Sequence, residues 1–147
     1  MNSTLNFGQI AVFIVTGVAG ACALLFYIRE RELKKKISLL AFVLALVSAL
    51  YVVFAFTTWN TIWITVEAVG LMLFLLFIWM AFRYSTWFVV LGWALHIVWD
   101  VGVHPQETAP YVPYWYAWTC VGFDSVIAVY IGWLLVRNES RNKNKAT

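Results

Sequence analysis

The stretch ISLLAFVLALVSALYVVFAF, residues 37–56, decides the fold. It runs for about 20 residues without a charge, enough to carry a helix across the hydrocarbon core of a bilayer. Three lysines, Lys34 to Lys36, stand immediately before it, and the turn residues TTWN follow it at 57–60. On both sides the same pattern recurs. Long apolar runs lie at about 8–28, 60–82, 86–104 and 114–136, with short gaps between them. The whole chain has 147 residues, 63% of them hydrophobic and 12% charged. Soluble domains carry about 25% charged residues, so lipid is the expected solvent for most of this chain. Backbone groups in lipid must be satisfied within each crossing, which predicts helices. A small β-barrel would need alternating strands of about 10 residues, and the runs are continuous instead. The expected fold is therefore all-α: one membrane domain over 1–147, a five-helix bundle with a basic tail at 137–147.

Charge sets the expected orientation. Arg29, Arg31, Lys34, Lys35 and Lys36 join the first two spans, Arg83 joins the third and fourth, and Arg137, Arg141, Lys143 and Lys145 follow the fifth. With five spans, all ten basic residues fall on one side. The positive-inside rule puts that side in the cytoplasm and the N-terminus outside. The net charge of +3 is read as a topology signal, and nucleic acid is not an expected partner. The first span is long and has no basic residue before it, unlike a signal peptide. Cys22 and Cys120 sit at depths differing by roughly 12 Å at 1.5 Å per residue, which argues against a disulfide.

The opposite side is rich in Trp and Tyr, as expected of an interfacial aromatic belt. Trp63, Trp99, Trp115 and Cys120 are also candidates to line a substrate pocket. The ionisable residues are more telling. Glu67, His96, Asp100, His104 and Asp124 fall within or at the edge of the spans. Each intramembrane charge costs about 2.5–3.5 kcal/mol on insertion scales, which makes such residues functional candidates. From the expected helix ends, Glu67 lies about 10 Å deep, His96 about 12 Å, Asp100 about 6 Å and Asp124 about 15 Å, with His104 at the rim.

Spacing adds direction. In LHIVWDVGVHP, residues 95–105, His96, Asp100 and His104 recur at i, i+4 and i+8 and so share one helix face. Ala117, Cys120, Asp124 and Ala128 form a small and polar stripe in the fifth span, and Trp63, Glu67, Gly70 and Phe74 form one in the third. Small residues let helices approach closely in lipid, so these stripes are expected to face one another around a shared cavity. Three carboxylates there meet two histidines and no Lys or Arg. Either a carboxyl keeps its proton or a cation is bound. Asp100 also sits in the last turn of its helix, where a negative charge opposes the macrodipole, and Pro105 is expected to stop that helix.

The series H-x3-D-x3-H-P, then P-x-W-Y, then C-x3-D is carried here by His96, Asp100, His104, Pro105, Pro113, Trp115, Tyr116, Cys120 and Asp124. It resembles the C-terminal half of a family of small bacterial integral membrane proteins without known activity. The resemblance covers about the last third of the chain. It implies a multi-pass protein of the bacterial inner membrane and no particular chemistry. Small sterol-isomerase-like membrane proteins are analogous in architecture alone.

Three functions are compatible with these residues. The first is an enzyme acting on an apolar or lipid-like substrate, with Asp100, Asp124, His96 and Glu67 as catalytic acid–base groups. In a metal-dependent form of it, His96, Asp100, His104 and Asp124 would hold Zn, Fe or Mn. The second is transport of protons or a small cation, which intramembrane acids and histidines also mark. The third is an accessory subunit whose polar network fixes packing. The expected partners are the bilayer, a hydrophobic small molecule and a second copy of the chain.

Overall fold

The computed structural model describes residues 6–104 and 111–146. Pro105 lies outside them. Five helices follow one another: α1 (Phe7–Ile28), α2 (Leu33–Phe56), α3 (Thr61–Arg83), α4 (Trp87–Val103) and α5 (Tyr114–Ala146). No strand occurs among the described residues. By length and composition α1, α2, α3 and α5 can each cross a membrane, while α4 is a shorter apolar helix of 17 residues. Its length of about 26 Å is at the lower limit for a crossing. Two boundaries differ from the sequence reading. Helix α2 starts at Leu33 and takes in the three lysines. Helix α5 runs to Ala146, so the basic tail continues the helix instead of leaving it. Lys, Arg, Glu and Asn tolerate helix well enough that nothing between 137 and 146 breaks the ladder.

Side chains start two of the helices. Asn6 accepts from Gln9 N at 2.9 Å while Gln9 Oε1 accepts from Asn6 N at 3.0 Å, a reciprocal capping box. Asn60 Oδ1 accepts from Ile62 N at 2.9 Å at the head of α3.

Helices α2 to α5 pack in chain order, and α1 departs from it. Helix α1 lies mainly on α5, α5 also on α4, and α3 on both α2 and α4. Two glycines explain the α1–α5 contact. A Cβ on Gly17 would meet Thr119 O at 1.9 Å, and one on Gly122 would meet Ile14 O at 2.2 Å. The two backbones are therefore in direct contact, the close approach that small residues permit in lipid. The outward faces are apolar: Val12, Phe42, Met72, Val98 and Val129 are all well exposed. Such surface suits acyl chains.

The basic residues gather at one end. One cavity there is lined by Lys36 of α2 and by Arg137 and Arg141 of α5. Beside it, Trp87 Nε1 at the start of α4 donates to Glu139 Oε1 at 3.1 Å. The half of the bundle nearest this end is filled by Leu40, Leu44, Phe74, Val89, Trp93, Ile127 and Ile131. Buried polar side chains occupy the half toward the other end.

Candidate functional site

The polar half contains two linked groups. The inner one is built on α4 and α5. His96 Nδ1 lies 2.7 Å from Asp124 Oδ2 and 3.5 Å from Asp100 Oδ2. Each of the three residues offers a ligand atom within 4.8 Å of the others, a group that could hold a metal ion. The i, i+4 spacing brings His96 and Asp100 together on α4, and the α4–α5 contact supplies Asp124. Exposure is 0% for His96, 2% for Asp100 and 0% for Asp124. At that depth an uncompensated charge costs several kcal/mol.

The outer group is built on Glu67. His104 Nε2 donates to Glu67 Oε1 at 2.7 Å, and Tyr111 OH donates to the same oxygen at 2.5 Å. Trp99 Nε1 donates to Oε2 at 3.2 Å. Helix α3 thus presents one buried carboxylate to three donors from α4 and the loop after it. Burial, followed by the Glu67 carboxylate, pushes the Tyr111 hydroxyl above its ordinary range, so it stays a donor. A Cβ on Gly70 would strike Trp99 Cζ2 at 2.5 Å, so the absence of a side chain there makes room for the indole.

Tyr51 joins the two groups. Its hydroxyl donates to Asp100 Oδ1 at 2.6 Å. Its ring stacks on His104 with centroids 4.1 Å apart and planes at 4°. Tyr116 meets Tyr51 edge-on at 5.2 Å and donates to Val47 O at 3.1 Å.

Five buried polar atoms have no hydrogen-bond partner among the described residues: Trp93 Nε1, His96 Nε2, Asp100 Oδ2, His104 Nδ1 and Asp124 Oδ1. Four belong to the residues just described. Buried polar atoms in native proteins are almost always satisfied, so an orphan of this kind calls for an explanation such as a water or an ion.

All five ionisable residues read from the sequence lie in this network, on α3, α4 and α5 and at the end of α4. They do not form one cluster. Glu67 and His104 pair with each other, apart from the His96, Asp100 and Asp124 group. Of the aromatic candidates, Trp99 bonds Glu67, and Trp63 lies against Tyr111 with ring centroids 5.3 Å apart. Cys120 is buried beside Tyr51 and Tyr116, and both cysteines are free. Trp115 is turned outward at 52% exposure. It precedes Tyr116, and a single residue step rotates about 100° around a helix.

Tyr51 is the residue that sequence reading missed. A signal was present: Leu44, Ser48, Tyr51 and Ala55 form a buried stripe on α2 of the kind that marked α3 and α5.

A profile of a family of unknown function, DUF6010, matches residues 9–138. The chain belongs to this family. Membership covers all five helices, well beyond the motif in the last third, and brings no activity with it. No curated protein and no solved structure matches the chain.

Proposed function

We propose that the protein is a membrane-embedded enzyme in which His96, Asp100 and Asp124 hold a divalent cation, Zn, Fe or Mn, at the floor of a site for an apolar or lipid-like substrate. One observation carries the reading. Two carboxylates and one histidine converge within 4.8 Å in a fully buried place, and neither Asp100 Oδ2 nor Asp124 Oδ1 has a hydrogen-bond partner among the described residues. One protonated histidine offsets one carboxylate, whereas a divalent cation offsets both. Nitrogen and oxygen donors in this mixture suit Zn, Fe or Mn. The ion would supply Lewis acidity in a water-poor environment. As ligands, His96 would bind through a ring nitrogen without its proton, and Asp100 and Asp124 would bind as carboxylates. Glu67 and His104, 2.7 Å apart, are the neighbouring acid–base pair of this reading, and His104 Nδ1 has no hydrogen-bond partner among the described residues.

This reading is favoured over transport by what lies beneath the site. Leu44, Phe74, Trp93 and Ile127 are buried apolar side chains on the basic side of it. They suit a closed pocket better than a conduit. The reading keeps the five-span topology with the N-terminus outside, in a bacterial inner membrane.

The test is elemental analysis of protein purified without chelator, paired with a screen of co-purifying lipids as substrates. The expected result is about one ion per chain, retained through dialysis and lost in an Asp100→Asn/Asp124→Asn double variant. A chain free of metal, whose melting temperature ignores added Zn, Fe and Mn, would overturn it.

A further inference from the structure

The basic end of the bundle holds a second feature, independent of the buried histidines. A cavity of about 260 Å³ lies between the start of α2 and the far part of α5, lined by Leu33, Lys36, Leu134, Arg137, Asn138 and Arg141. Among the described residues its wall has three cations and no carboxylate. Arg137 and Arg141 are spaced i, i+4 and so stand on one face of α5. Lys36 faces them from α2. No ion pair involves any of the three among the described residues, whereas Lys35 and Arg29 nearby are paired with Glu32 and Glu30. Glu139, the acid closest in sequence, is held by the Trp87 indole instead. The three like charges therefore repel one another around a hollow.

Its level matters. The apolar run of α2 begins at Ile37, and that of α5 ends at Val136. Lys36 and Arg137 are the next residues outward on each helix. The cavity thus lies at the edge of the hydrocarbon zone, where phospholipid phosphates are found. A largely apolar groove of about 510 Å³ lies one to two turns earlier on α5, where it meets α1, lined by Leu25, Ser125, Val126, Val129, Tyr130 and Trp133. The Arg137 guanidinium sits 5.1 Å from the Trp133 ring, so one residue pair connects the polar hollow to the apolar groove.

We infer that this place binds an anionic phospholipid, with Lys36, Arg137 and Arg141 around the headgroup phosphate and an acyl chain along the Val129–Trp133 groove. Basic pockets between helices at this level are suited to anionic headgroups. A soluble phosphate would meet the same three cations but would leave the groove unused. The neighbouring larger cavity, with Arg31, Lys34 and Lys35, also contains Glu32 and is less suited to an anion.

The full chain in zwitterionic detergent, titrated with phosphatidylglycerol or phosphatidylcholine and followed by native mass spectrometry, tests this. Phosphatidylglycerol should be retained in preference to phosphatidylcholine. Lys36→Gln/Arg141→Gln should weaken its binding about 30-fold, from the roughly fivefold that each basic residue contributes near an anionic surface. Lys34→Gln/Lys35→Gln removes the same charge from the neighbouring face and should cost less than about fivefold. Equal losses in the two double variants would mean diffuse surface attraction and overturn the site. So would inorganic phosphate binding that depends on Lys36 and Arg141 without any preference between the two lipids, since the ligand would then be a free anion.

Discussion

Replacing Tyr51 by phenylalanine separates a metal-holding role of Asp100 from a purely structural one. Tyr51 is fully buried, and its hydroxyl donates to Asp100 Oδ1 at 2.6 Å. Its ring, stacked at 4.1 Å on His104, is unchanged by the substitution. The perturbation is therefore one hydrogen bond to a carboxylate, with packing preserved. A hydrogen bond to a charged group contributes about 1.5–3 kcal/mol. At about 2–4 °C per kcal/mol, the melting temperature of the metal-free protein should fall by about 3–12 °C. If Asp100 is a metal ligand, Tyr51 is the partner that orients it, and loss of such a partner lowers metal affinity about 10–100-fold. The assay is competition for the ion against a chromophoric chelator, read beside thermal unfolding in detergent. A melting temperature lowered as expected with metal affinity unchanged would refute the reasoning, because Asp100 would then bond Tyr51 without serving an ion.

Asp100→Asn and Asp124→Asn should each remove metal while leaving the helical fold, and their effects on metal affinity should fail to add in the double variant if both act on one ion; full additivity would place them in separate sites. Glu67→Ala strands the His104, Tyr111 and Trp99 donors and should destabilise by about 3–5 kcal/mol in thermal or denaturant unfolding. Glu67→Gln, with Oε1 kept toward His104 and Tyr111, sets an amide against the Trp99 N–H and should cost about 1–3 kcal/mol; equal costs for Ala and Gln would contradict the geometry. In a background lacking Cys22 and Cys120, Lys35→Cys should react with impermeant maleimide only from the cytoplasmic side and Thr58→Cys only from outside, since basic loops stay inside. Reaction of both from the same side would rule out the five-span topology.

Periodicity and charge in the chain were enough to read an all-helical membrane bundle, because lipid removes the alternatives. A run such as 37–56 can satisfy its backbone only as a helix. Composition also singled out Glu67, His96, Asp100, His104 and Asp124, since an ionisable group in an apolar run is costly wherever it ends up. Helical spacing put His96, Asp100 and His104 on one face; the structure keeps His96 beside Asp100 at 3.5 Å, whereas His104 is the non-helical residue that ends α4. Partner choice was not local. Whether His104 would join Asp100 or Glu67 depends on how α3 and α4 pack, and the structure pairs it with Glu67 at 2.7 Å. The same applies to Tyr51, one polar residue on a long apolar helix until packing sets its hydroxyl on Asp100. Trp115 and Trp99 are equivalent in an aromatic belt, and helix rotation alone turns one outward and the other onto Glu67. Short-range chemistry along the chain determined the helices and named the residues worth watching. The long-range order in which those helices pack, with α1 on α5 through Gly17 and Gly122, decided which of them meet.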